Sequence, residues 1–136
     1  WQMAIKPGKP LAFGAIHRTD GSAALLLGLP GNPVSSFVTY LLCVTTVLRA
    51  LQGAPTALPA GLPARADFDW PRPDKRREFL RVRVNAAGGL DLFPNQSSGV
   101  LTSAVWADGL VDNPSLQVIR RGDTVRFLPL AELIAR

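Results

Sequence analysis

The chain has 136 residues, 47% hydrophobic and 18% charged, a balance that builds packed cores and excludes a disordered polypeptide. Its one cysteine excludes an internal disulfide and suits the cytoplasm, and no basic stretch ahead of an apolar one marks a secretory leader. The net charge of +5 favours an anionic partner, which could be a phosphorylated small molecule, nucleic acid or an acidic protein.

Gln2 to Lys6 reads as a short extended segment, and Lys6-Pro7-Gly8-Lys9-Pro10 follows it. Proline second and glycine third is the type II turn pattern, because the third residue needs positive φ. Leu11 to Ile16 reads as a strand, Thr19 to Ser22 as a hairpin connection, and Ala23 to Leu27 as a strand buried on both faces. After a Gly/Pro loop, a helix is expected from about Pro33 to Gln52. Asn32 is its N-cap, Pro33 its first residue, and Gly53 and Pro55 end it. The most apolar stretch of this helix is interrupted by Ser35, Ser36, Thr39, Thr45, Thr46 and Arg49, which argues for a buried helix and against a membrane span. Cys43, mid-helix among apolar residues, reads as inert packing. The helix is apolar on nearly every side, so three short strands cannot cover it. Residues 1–54 therefore read as the end of an α/β domain that begins upstream, and Trp1 in place of an initiating Met points the same way.

Residues 55–64 are rich in Ala, Pro, Leu and Gly and read as a linker. Residues 65–136 read as a small all-β, barrel-like domain. Its expected strands are Phe79 to Val84, Leu90 to Phe93, Leu116 to Arg120 and Thr124 to Leu128. Turns are expected at Ala87-Gly88-Gly89 and Arg121-Gly122-Asp123, with a short helix within Gly99 to Ala107.

Three segments could hold an anion. In the first, a turn brings Lys6 and Lys9 within about 7 Å of each other at Cα, and two ammonium groups so close repel unless an anion lies between them. A solvated basic turn is the competing reading. The second is Gly28-Leu29-Pro30-Gly31-Asn32-Pro33-Val34-Ser35-Ser36, where a helix start offers free amides and Ser35 or Ser36 a hydroxyl. It lacks the glycine spacing of a P-loop or a dinucleotide fingerprint, and a plain capped helix entry competes. The third joins Arg77 and Arg81 to Gln96-Ser97-Ser98-Gly99, which could clamp a phosphate or, through Ser97, cap a helix. The run Arg72 to Arg81 carries five basic residues, and a solvated strand edge explains it without a ligand. His17 has no partners at metal-ligand spacing and reads as a surface histidine. Trp70 and Trp106 read as core or interface residues. Basic residues are not interleaved with aromatics as in a nucleic-acid groove.

Ala4-Ile5-Lys6-Pro7-Gly8-Lys9-Pro10-Leu11-Ala12-Phe13-Gly14, followed by Gly28-Leu29-Pro30-Gly31-Asn32-Pro33-Val34-Ser35, closely resembles the pattern of the MoeA/gephyrin E-domain family. The downstream Phe79-Leu80-Arg81-Val82 and Gln96-Ser97-Ser98-Gly99 resemble that family's C-terminal β-domain more loosely. The resemblance implies a C-terminal piece of a molybdenum insertase: a MogA-like α/β domain followed by a β-barrel domain, in an elongated cytoplasmic homodimer. It implies transfer of molybdate into adenylylated molybdopterin with release of AMP, assisted by Mg²⁺ whose ligands lie upstream. A MogA-like adenylyltransferase is the implied partner, with no nucleic acid and no membrane. Lys6 and Lys9 are the implied catalytic residues. Pro30, Gly31, Asn32, Pro33, Ser35, Arg81 and Ser98 are the implied substrate contacts, and the piece alone is expected to be inactive. Three positions depart from the family pattern: Gln2 stands where some members carry another lysine, Thr46 replaces a common proline, and Asp108 precedes Gly109 where Asn is usual. A non-catalytic scaffold or peptide-binding module of the gephyrin type is the alternative.

Overall fold

The computed structural model describes residues 3–136. The positions Trp1 and Gln2, including the family departure at Gln2, lie outside them. Eight strands form two sheets. A two-stranded antiparallel hairpin joins β2 (Ala12–His17) and β3 (Ala23–Gly28). The larger sheet runs β1 (Ile5–Lys6), β5 (Arg77–Val84), β7 (Gly109–Asn113), β8 (Thr124–Pro129), β4 (Leu62–Arg65), and β6 (Leu90–Leu92) also pairs with β5. β1 lies parallel to β5, with Ile5 opposite Arg77 and Lys6 opposite Glu78. β6 takes the far end of that same β5 edge, at Val82 to Val84.

The gap between β1 and β6 is filled by a side chain. Gln96 Oε1 accepts from the Arg81 amide at 2.9 Å, and its Nε2 donates to the Arg81 carbonyl at 3.0 Å. A side-chain amide thus stands in for a strand residue: it gives the Arg81 amide its acceptor and adds a second donor to the Arg81 carbonyl, which also accepts from the Phe93 amide at 3.1 Å.

The expected helix extends from Pro33 to Leu51. It consists of α1 (Pro33–Thr39), a π-helical turn over Tyr40–Val44, and α2 (Thr45–Leu51). Carbonyls loosened by the π turn find local donors: Thr45 Oγ1 donates to Leu41 at 2.6 Å and Thr46 Oγ1 to Leu42 at 2.9 Å. By length and composition alone this helix could cross a membrane. One face, however, is buried on the sheet through Val34, Val38, Leu41 and Leu42, against Phe79, Leu110, Leu128 and Leu133. Each such burial stabilises by about 1.5–3 kcal/mol. The opposite sheet face packs Leu80, Val82, Val111 and Phe127 with Ala66, Phe68, Leu90 and Ile119. Alternation along β5 serves both layers.

Several expectations are corrected. The larger sheet is mixed and does not close into a barrel. Two of its edge strands, β4 and β6, are four and three residues long, and the single bridge between them joins Ala66, just past β4, to Leu90. Closure needs strands long enough to carry a consistent stagger. Helices α3 (Thr102–Trp106) and α4 (Leu130–Ala135) pack with it, so the region is not all-β. Leu116 to Arg120 is not a strand. Leu116 has φ of 60°, and only Ile119 bridges, to Trp70. The strand lies earlier, at β7. Nor is Ala23 to Leu27 buried on both faces: Leu25 and Leu26 are 45% and 49% exposed, as is Phe13 at 53% across the hairpin.

β7 owes its path to Gly109. A Cβ there would overlap the Phe127 ring and come within 2.5 Å of the Leu128 carbonyl oxygen. Gly109→Ala is therefore expected to destabilise the protein by about 1–3 kcal/mol through overpacking, read as a lower urea midpoint with an unchanged slope.

Candidate functional site

The turn after β1 sits directly on the long helix. Gly8 has φ of +126°, positive as the sequence suggests, and the Lys6–Pro7 peptide is cis. A Cβ on Gly8 would lie 2.6 Å from Thr39 Oγ1. Glycine therefore both permits the backbone conformation and lets the turn approach the helix. The Met3 amide donates to the Lys9 carbonyl at 2.9 Å and closes the loop.

The helix start meets the loop at Gln96 to Ser98. The Val34 amide donates to the Ser98 carbonyl at 3.1 Å, and Asn32 Nδ2 donates to Ser98 Oγ at 3.0 Å. Asn32 occupies the N-cap position without making a side-chain cap. The expectation of several unpaired first-turn amides is corrected accordingly: Pro33 has no N–H, and Val34 has given its own to Ser98. What the junction keeps is the Ser98 hydroxyl, which accepts from Asn32 and so retains its proton for another acceptor.

These segments enclose a cleft of about 630 Å³, lined by residues that include Lys6, Gly8, Lys9, Pro30, Asn32 and Ser98. Of the residues singled out in the sequence, Lys6, Lys9, Pro30, Gly31, Asn32, Ser35 and Ser98 all line it. Pro33 begins the helix outside the lining. Arg81 is also outside, 2% exposed. It donates to Ser103 Oγ at 3.2 Å, to the Phe79 carbonyl at 3.1 Å and to the Ser97 carbonyl at 3.5 Å. Burial pulls its guanidinium down to about 10. Arg81 supports the Ser97–Ser98 loop from behind the cleft wall.

Arg77, named with Arg81 as a possible clamp, points away. It makes two contacts with Asp112, at 2.5 and 2.6 Å, and Arg126 completes that cluster at 2.9 Å. The cleft is lined instead by Arg76, the preceding residue, which sits in the bend just before β5 with its amide donating to Asp74 Oδ1 at 2.9 Å.

The charges of the cleft are arranged unevenly. Lys6 Nζ is 3.4 Å from Asp74 Oδ2 and 3.9 Å from Glu78 Oε1. Arg76 grips Asp74 through Nε at 3.0 Å and Nη2 at 2.9 Å, which holds the Asp74 carboxyl well below the usual carboxylate range. Among the described residues Lys9 makes no ion pair, and it is exposed. Three cations thus line the cleft, two of them tethered from behind. Glu78, Asp74 and Arg76 were not singled out as site residues in the sequence. Their spacing next to a tryptophan and a basic run gives no local signal of a shared cluster.

The described residues contain no group of three or more His, Cys, Asp and Glu side chains able to hold a metal. Asp74 and Glu78 approach each other around Lys6, but cations and an indole N–H already occupy them. These residues do not fit a Mg²⁺ site.

Residues 63–130 match the family model described as the MoeA C-terminal region (domain IV). The chain is 49% identical to a molybdopterin molybdenumtransferase of Haemophilus influenzae, over 98% of this chain and 33% of that protein. It is 37% identical to the molybdenum cofactor synthesis protein cinnamon of Drosophila melanogaster, over 82% of this chain and 18% of that protein. Among solved structures, the molybdopterin biosynthesis moeA protein of Pyrococcus horikoshii matches with a TM-score of 0.72 at 25% identity, covering 93% of this chain and 31% of that one. The chain thus spans a third or less of the length of these curated relatives.

Arg81→Ala would take the Arg81 donor from the Phe79 carbonyl, leave the Ser97 carbonyl with the Val100 amide, and open a void beside Ser103. A loss of about 2–4 kcal/mol in unfolding free energy is expected, measured by denaturant titration.

Proposed function

The chain belongs to the MoeA family, and on that premise we propose that its cleft binds the anionic end of a molybdenum-cofactor precursor, in a full-length protein that inserts molybdate into adenylylated molybdopterin and releases AMP. One observation carries the reading. Two segments separated in sequence, the Lys6–Lys9 turn and the Asn32 helix start, meet with Ser98 around one basic cleft. A phosphate, diphosphate or molybdate is the ligand chemistry this surface suits. Lys9 offers an untethered ammonium, Lys6 and Arg76 offer held cations, and Ser98 offers a hydroxyl proton. Positive charge fixed before the reaction stabilises negative charge that develops during it, because no reorganisation is needed at that moment.

Under this proposal Lys6 and Lys9 act on the reacting anion, and Pro30 to Asn32, Ser35 and Ser98 shape the wall that positions it. Arg81 serves through the Ser97–Ser98 loop. Pro33 serves by starting the helix.

The rest of the family's assembly is proposed with it. Residues 1–54 would complete a MogA-like α/β domain with upstream strands. That domain would cover the exposed apolar side chains Phe13, Ile16, Leu25 and Leu26 of the β2–β3 hairpin. The working protein would be a homodimer, Mg²⁺ would be held by upstream residues, and a MogA-like adenylyltransferase would supply the substrate. The 136 residues alone would be inactive.

The competing reading, a non-catalytic peptide-binding module, would use a different surface. A separate groove of about 390 Å³ lies beside Asp112, lined by residues that include Arg77, Asn113, Gln117, Val118 and Arg126. Its arginines are already committed to Asp112, which disfavours it as an anion site.

Lys6→Ala and Lys9→Ala in the full-length protein should each lower turnover of adenylylated molybdopterin with molybdate by about a hundredfold, the scale of losing one charge-stabilising group. Cofactor formation at the wild-type rate in both variants would remove the proposed role.

A further inference from the structure

Glu78 is 1% exposed, and a buried carboxylate is costly unless a cation or several donors meet it. Two groups meet this one. Trp70 Nε1 donates to Oε2 at 2.7 Å, and Oε1 faces the Lys6 ammonium at 3.9 Å. The register explains the second contact. Lys6 and Glu78 are opposite each other in the parallel β1–β5 pair, which puts their side chains on the same face of the sheet. Asp74 closes on the same ammonium from the other side at 3.4 Å, and is itself locked by Arg76.

Satisfying the Trp70 N–H does not require a charge. A glutamine at position 78 would accept the same hydrogen bond without the cost of burying a carboxylate. The charge is therefore unexplained by packing and is explained by the cations around it, the Lys6 ammonium it faces and, farther off, the Arg76 guanidinium, which is already locked on Asp74. Lysine carries four rotatable bonds, and a free lysine at a cleft edge would sample many positions. Lys6 is the cleft lysine that is held, whereas Lys9 is not.

We propose that Glu78 is a positioning residue for Lys6: its buried carboxylate, oriented by Trp70 and assisted by Asp74, fixes the Lys6 ammonium at the edge of the cleft. The inference rests on the anion-binding reading of the cleft given above and deepens it. Glu78 touches no ligand and acts through Lys6 alone.

The test uses the full-length protein, with kcat and KM measured for adenylylated molybdopterin at saturating molybdate. Glu78→Gln keeps the acceptor for Trp70 and removes the charge. It should lower kcat at least about tenfold, since displacement of a reacting group by about 1 Å can cost far more. It should not raise KM, because the cleft becomes more positive when a carboxylate behind it is lost. In a Lys6→Ala background, Glu78→Gln should change kcat by less than about twofold, since the group it positions is gone. Trp70→Phe, which leaves the charge but frees the carboxylate to turn, should shift kcat in the same direction and carries the test should Glu78→Gln not fold.

Wild-type kinetics in Glu78→Gln, or effects of Lys6→Ala and Glu78→Gln that multiply, would overturn this inference and leave the anion-binding reading standing. Wild-type kinetics in Lys6→Ala would overturn this inference as well, and wild-type kinetics in both Lys6→Ala and Lys9→Ala would overturn the anion-binding reading with it.

Discussion

Two residues of parallel strand pairing organise this molecule. When Ile5 and Lys6 dock along Arg77 and Glu78, the start of the chain becomes part of a sheet built from residues more than fifty positions downstream. The docking also decides where the next turn goes. Pro7 and Gly8 leave the sheet and come to rest on Thr39 of the long helix, so Lys9 is delivered to the cleft edge. Without this pairing the Lys-Pro-Gly-Lys segment would be a basic turn in solvent, the reading its composition alone allows.

The same edge of β5 holds the third wall. Gln96 fills the ladder position between β1 and β6, and Arg81 reaches the Ser97 carbonyl from within the core. Ser98 is thereby presented to Asn32 and Val34. Two elements far apart in sequence converge because each is tied to neighbouring positions of one strand, and the third, the helix start, joins them through Ser98. The buried polar groups there, Glu78 and Arg81, are expensive to desolvate. Each is matched to specific partners, and both lie beside the cleft and not at random in the sheet.

Much of this was legible in the residues where the signal is local. Pro7-Gly8, Pro30 to Pro33 and Gly53 act through backbone conformation within a few positions, so the turn, the helix start and the helix end stand where they were expected. β7 was not legible. Gly109, Asp112 and Asn113 are poor strand formers. What holds them in a strand is Phe127 stacked against Gly109 and two arginines, 35 and 14 positions away, closing on Asp112. Leu116 to Arg120 shows the reverse: its composition suits a strand, but its backbone turns. The site reading erred where one residue reverses direction. Arg76 lines the cleft while Arg77 faces Asp112 on the far side, and nothing in a run of basic residues distinguishes them. Glu78 escaped notice because its importance lies in a register contact with Lys6, visible only once the two strands are paired.

On the proposed reading, the turn, the helix start and the Ser98 loop together make one anion-binding cleft. The most direct measurement is an anomalous difference map at the molybdenum edge from crystals of the full-length protein soaked in molybdate. A peak between Lys9 and Ser98, weakened in Lys9→Ala crystals, is the predicted result. A peak only in the groove beside Asp112, with none between the turn and the Ser98 loop, would contradict the account.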